Sequence, residues 1–154
     1  MHDLTCPIMD VEPLLPHSGA MVFLDKIIDW DEKGLTAETM IKADNLLLRH
    51  GQFDTFSSIE IMAQAVGAWA GCMHTSRGEP IGLGFLLGTR CLNLFSQTIA
   101  IGTQLIVETK LSIQDQSGFS VFDCCIKDKS NGGILASAAL SVYSPKKEEG
   151  KENE

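Results

Sequence analysis

The chain has no apolar run approaching the roughly 18 residues that a membrane-spanning helix needs. It has no basic surplus either. Twelve Lys and Arg against 20 Asp and Glu leave a net charge of −8, a sign that repels phosphate backbones, so no nucleic-acid partner is expected. The five cysteines, Cys6, Cys72, Cys91, Cys124 and Cys125, are odd in number and contain no C-x-x-C pair. That argues against a disulfide framework and offers no zinc-ligand spacing. Buried, reduced thiols are expected instead, with the adjacent Cys124 and Cys125 on opposite faces of a strand. The opening residues, MHDLTCPIMDVEP, carry acids and a proline where a secretory leader has a basic start and an apolar core. Membrane insertion is therefore not expected, and a cytoplasmic location is.

What is present describes an ordinary globular domain: 154 residues, 44% hydrophobic and 21% charged, enough to bury one core. The final stretch, KKEEGKENE, holds no apolar residue. We expect a single domain over residues 1–145 and an acidic, mobile tail over 146–154.

Strand patterns dominate. VETKLSI alternates, with Val107, Thr109, Leu111 and Ile113 on one face and Glu108, Lys110 and Ser112 on the other, the mark of a half-buried antiparallel strand. The turn DQSG, the run FSVFDCCIKD, the turn KSNGG and the run ILASAALSVY follow, giving two hairpin connections. Upstream, MVFLDKIIDW and LTAETMIKA flank the turn DEKG. IGLGFLLGTRCLNL reads as a further strand in which Gly82, Gly84 and Gly88 mark bends or bulges. Between these groups, Ser57 to about Arg77 fits a helix ended by Gly78-Glu79-Pro80. From Ile59 to Met73 it is apolar or small on nearly every side, as in a core helix. Two strands, a long helix and four strands make an α+β arrangement, an antiparallel sheet curled around the helix.

Glu60 and Gln64 interrupt that helix. Ser57-Ser58-Ile59-Glu60 matches a capping box, in which the glutamate reaches back to the first amide of its own helix. The other reading is catalytic. A carboxylic acid walled by apolar groups holds its proton closer to neutral pH, as a general acid must. Gln64, four residues on, lies on the same side; it orients Glu60 or an acyl group, or fills a polar niche. Asp25 reads as a strand-end carboxylate bonded to a turn.

LLPHSGAMVFLDKIIDW resembles the L-P-H-x-x-x-hydrophobic-hydrophobic-D start of the (3R)-hydroxyacyl-[acyl-carrier-protein] dehydratases, and IEIMAQAVG resembles their central-helix motif. Together with GAWAG and GFLLGTR, the pattern is most similar to the ApeP-like branch associated with aryl polyene assembly, over about Leu14 to Pro145. The resemblance implies a hotdog fold and dimers joined sheet edge to sheet edge, as a homodimer or with a related dehydratase. It implies an acyl tunnel beside the helix and neither metal nor organic cofactor. Glu60 would protonate the departing C3 hydroxyl of a 3-hydroxyacyl thioester on an acyl carrier protein, and a histidine would take the C2 proton, leaving a trans-2-enoyl thioester. Gln64, Thr55, Phe56 and Gly88 are the implied substrate contacts. The pathway would be fatty-acid-like or aryl polyene biosynthesis.

The base has two candidates. His17 belongs to L-P-H. His50, in Arg49-His50-Gly51-Gln52-Phe53, stands ten residues before Glu60, closer than the family's G-H-F-P-G histidine, and Asp54-Thr55 replace the Pro-Gly that precedes the family's helix. His74 is expected at the helix end, facing its carbonyls, and His2 in a loose terminus. Arg49, Arg77 and Arg90 are the candidate cations for an acidic carrier. Two other functions fit the residues: thioester hydrolysis, with one carboxylate activating water, and a subunit that only shapes the tunnel of a heterodimeric dehydratase.

Overall fold

The computed structural model describes residues 4–82 and 84–145; His2 and the acidic tail lie outside them. The expected helix is present as α1, Ser58–Ser76. Around it the chain forms β1 (Lys26–Asp31), β2 (Gly34–Met40), a short β3 (Phe53–Asp54), β4 (Phe85–Leu94), a short β5 (Thr98–Ile99), β6 (Gln104–Gln114), β7 (Phe119–Asp128) and β8 (Ile134–Tyr143). Six of them make one antiparallel sheet in the order β1-β2-β6-β7-β8-β4, and β3 pairs with β5. The turns anticipated from composition close the hairpins. Asp115 Oδ1, for example, accepts bonds from the amides of Ser117 (2.9 Å) and Phe119 (3.1 Å) between β6 and β7.

The helix lies across β2, β6, β7 and β8. Ile61, Met62, Ala65, Ala68 and Cys72 are fully buried against Ala37, Leu105, Val107, Ile126 and Leu140. Trp69 meets Phe122 edge to face at 5.2 Å, and its indole N–H donates to the Asp31 carbonyl at 2.9 Å. This is the α+β hotdog arrangement, a long helix held in a curved antiparallel sheet. One stripe of α1 escapes burial: Glu60 is exposed, and Ile59, Ala63, Gly67 and Ala70 are half-buried. The stripe reads as core in the sequence because alanine and glycine score as apolar, yet such small side chains do not fill an interface by themselves.

The two sheet edges differ. β1 is covered by Ile8, which exchanges both backbone bonds with Ile27 at 2.8 and 2.9 Å. Among the described residues nothing pairs with the outer side of β4. Its Phe85, Leu86, Leu87 and Leu94 are exposed, as is Phe95 beyond it. Long apolar edges of this kind are normally covered.

Some expectations fail locally. Residues 21–25 are not strand; β1 begins at Lys26. A register shift between Leu111 and Ile113 breaks the alternation of β6, so Ile113 is exposed and does not share the buried face of Val107 and Thr109. The bulge expected at Gly88 is present as a shift between Leu86 and Gly88. Only Cys72 and Cys124 are buried; Cys6 and Cys125 are half-buried, and Cys91 is exposed at a second irregularity of β4. The adjacent pair does face opposite ways, with Cys124 buried and Cys125 half-buried.

Candidate active site

The segment carrying L-P-H is laid against α1 by contacts that its sequence makes possible. A 3₁₀ turn, Glu12–Leu14, carries Pro13 where an unbonded amide is tolerated. Leu14 and Leu15 then bury themselves at 1% and 7% exposure. The Leu14 backbone comes so near the helix that a Cβ on Gly71 would sit 2.0 Å from the Leu14 carbonyl oxygen. Farther on, Gln64 is buried, its Oε1 accepting the Phe23 amide at 2.8 Å and its Nε2 donating to the Met21 carbonyl at 2.5 Å. Gln64 therefore fills a polar niche, with both ends of its amide engaged by the loop backbone. Thr39 Oγ1 donates to the Phe23 carbonyl from the other side.

This stitching holds Met21 and Phe23, four and six residues beyond His17, against Gln64, which itself follows Glu60 by one helical turn. His17 is exposed on that loop. Met21, four residues on in the same segment, is also exposed. His50 sits differently. The backbones of Arg49 and Gln52 exchange bonds at 2.8 and 3.0 Å, and His50 and Gly51 between them have φ of 53° and 74°, the signature of a two-residue type I′ turn. His50 is thus the exposed tip of a tight hairpin.

The capping box does not form. A 3₁₀ turn, Thr55–Ser57, runs straight into α1, so Ser57 already has helical dihedrals (φ −67°, ψ −10°) and no side chain caps the helix. Glu60 is left exposed in the first turn with a free carboxyl, where the helix dipole favours negative charge. Among the described residues no hydrogen bond or ion pair links it to His17 or His50. The apolar enclosure expected for this acid is not supplied by the one chain.

The helix start is tied down from below. Thr55 is fully buried, its amide donating to the Gln97 carbonyl at 3.0 Å and its hydroxyl 3.1 Å from that of Ser96, beyond the end of β4. Ser58 has a buried hydroxyl without a partner among the described residues. Phe56 is 60% exposed four residues before Glu60, and Gly88 is half-buried in β4.

The remaining polar residues take plain roles. Asp25 accepts the Met40 amide at 2.8 Å and pairs with Lys42 at 2.5 Å. His74 Nδ1 lies 3.0 Å from a Glu79 carboxylate oxygen at the helix end. Arg49, Arg77 and Arg90 are exposed, outside the ion pairs of the described residues. Burial pushes the thiols of Cys72 and Cys124 up to about 12 and that of Cys125 to about 11, so none of the three is a thiolate nucleophile near neutral pH. Among the described residues no three or more His, Cys, Asp or Glu converge as metal ligands would. Among the described residues no helix is long and apolar enough to cross a membrane. An open cleft of about 610 Å³ is lined by Trp30, Asp31, Glu32, Lys33, Met73 and Ser76. It lies roughly 20 Å along the helix axis from Glu60 and gathers none of the candidate residues.

Comparison with known proteins points to a dehydratase family. The family model described as ApeP-like, ApeP dehydratase, matches residues 9–152. Among solved structures, the dehydratase heterocomplex ApeI:P from Xenorhabdus doucetiae matches with a TM-score of 0.80 and 30% identity, covering 93% of this chain and 95% of that one. A hypothetical thioesterase with coenzyme A from Streptococcus pneumoniae (TM-score 0.60, 14% identity, 77% and 83% coverage) and the PaaI protein of E. coli (TM-score 0.58, 14% identity, 76% and 80% coverage) share the fold. No curated protein sequence matches.

Proposed function

The chain belongs to the ApeP-like dehydratase family, and from that premise we propose that it removes water from 3-hydroxyacyl thioesters carried on an acyl carrier protein, in aryl polyene-type biosynthesis. Glu60 is the general acid and His17 the base. His17 takes the C2 proton, the electron pair forms the C2–C3 double bond, and the C3–O bond breaks as Glu60 protonates the departing hydroxyl. Proton return from the imidazolium, through water, resets the pair. The thioester acidifies C2, and amides at the start of α1 face the charge that develops on its carbonyl oxygen. The observation that carries the choice of base is the Gln64 clamp on Met21 and Phe23, which ties the L-P-H loop to the helix one turn from Glu60. His50, on its own hairpin tip, has no comparable tie among the described residues.

The dehydratase family favours elimination over hydrolysis, and it favours a chain with its own chemistry over one that only shapes a partner's tunnel. Incubation with a carrier-bound 3-hydroxyacyl thioester should yield a product lighter by one water, still attached to the carrier. Free acid and free carrier thiol would instead mark a hydrolase.

The partner in this reading is a related dehydratase paired along β4. The open apolar edge and the exposed stripe around Glu60 both lack cover in the single chain, and the similar complex from Xenorhabdus doucetiae is a heterocomplex. Leu87 is 58% exposed on β4. Leu87→Asp should shift the assembly to single chains in size-exclusion chromatography while leaving the circular dichroism of the fold unchanged; an intact assembly would place the interface elsewhere.

A further inference from the structure

The loop bearing His17 is closed at its base by a bond that the reaction does not use. The Gly19 amide donates to Glu12 Oε1 at 2.7 Å. The same Glu12 accepts the Leu15 amide through its backbone carbonyl at 3.1 Å. Glu12 thus grips the loop on both sides of Pro16-His17-Ser18. Gly19 has φ +59°, a left-handed conformation that glycine adopts readily. Downstream, Met21 and Phe23 are fixed by Gln64; upstream, Leu14 and Leu15 are buried against α1. Between these anchors, residues 16–20 are all exposed. Among the described residues, the Glu12 carboxylate supplies the one side-chain bond to that span.

We infer that Glu12 is a positioning residue for the dehydration: by accepting the Gly19 amide it closes the loop over residues 12–19 and fixes the direction in which His17 presents its ring. The inference rests on the reading of His17 as the base. Glu12 touches neither substrate nor reacting atoms. Its contribution is orientational, and misplacing a catalytic group by about an ångström is enough to slow a reaction a hundredfold. The loop keeps its anchors without Glu12, so the expected loss is smaller.

The test is a double-mutant cycle on the assembled protein with the carrier-bound 3-hydroxyacyl substrate. Glu12→Ala should lower kcat roughly tenfold and leave KM within about twofold. Glu12→Gln, whose amide oxygen still accepts the Gly19 N–H, should recover to within about threefold of wild type. In a His17→Ala background, where residual turnover is followed over hours by mass, Glu12→Ala should change the rate by less than about twofold, because there is no ring left to orient. Equal losses in both backgrounds, or no loss in either, overturn the inference. If His17→Ala itself dehydrates at the wild-type rate, the assignment of the base has failed and Glu12 falls with it. A slow His17→Ala combined with an additive Glu12→Ala leaves the base standing and sinks this inference alone.

Discussion

Glu60→Gln should abolish most dehydration, by at least about a hundredfold, without unfolding the protein. The size of the effect follows from the role. A glutamine has nearly the shape of a glutamic acid but no acidic proton, so the C3 hydroxyl must depart as hydroxide or draw a proton from water. The stability follows from the geometry. The carboxyl caps no helix and makes no ion pair among the described residues, so the substitution breaks no bond of the fold and only weakens a favourable interaction with the helix dipole. The rate separates the alternatives that the sequence leaves open, and the unchanged stability shows that a lost rate is not a lost fold. Had Glu60 been the closing member of a capping box, Glu60→Gln would keep most of the cap and affect neither stability nor rate. Kinetics with a carrier-bound substrate and thermal unfolding of the same preparations make the comparison. Wild-type turnover in the variant would remove Glu60 from the mechanism.

The fold was legible because its determinants are local or periodic. The alternation in β6 and β7, the Asp and Gly turns between them and the helix stop at Gly78 need no knowledge of distant residues. What escaped the reading depends on contacts across the chain. β3 and β5 are too short to show a period and exist because Phe53 and Ile99 face one another. Ile113 leaves its expected face because one extra residue enters the ladder, which no alternation rule anticipates. The capping box failed because the turn ahead of it was already helical, a property set by Thr55 and its bonds to Ser96 and Gln97, some 40 residues downstream. For the site, the sequence singled out the acid and two histidines from motifs. It favoured His17 by its motif alone and could not see the Gln64 clamp, which joins residues 41 and 43 positions apart. Glu12 was likewise passed over; an acid seven residues before a glycine carries no signal until the chain folds back.

Two glycines on α1 look interchangeable in the sequence and should respond to alanine in opposite directions. In a helix, Gly→Ala ordinarily gains up to about 1 kcal/mol, because alanine loses less backbone freedom. At Gly67 no described residue of the same chain opposes that gain. The new Cβ would lie 3.5 Å from Leu15 Cδ2, an ordinary contact, so Gly67→Ala should raise Tm by roughly 2–4 °C. At Gly71 the Cβ would lie 2.0 Å from the Leu14 carbonyl oxygen and 2.8 Å from its carbon. Both are backbone atoms, with no rotamer to relieve the overlap. Leu14 must move by about an ångström, pulling a side chain that is 1% exposed out of its seat. Overpacking of this kind costs typically 1–3 kcal/mol and more where backbone must shift. It outweighs the propensity gain and leaves Gly71→Ala destabilised by about 2 kcal/mol, a fall in Tm of roughly 4–8 °C. Because Leu14 and Leu15 lead into Pro16-His17, the same displacement should also reduce dehydration in the fraction that stays folded. A Gly71→Ala protein as stable and as active as its parent would mean that the L-P-H segment does not rest on the helix at this point, and the proposed pairing of His17 with Glu60 would lose its support.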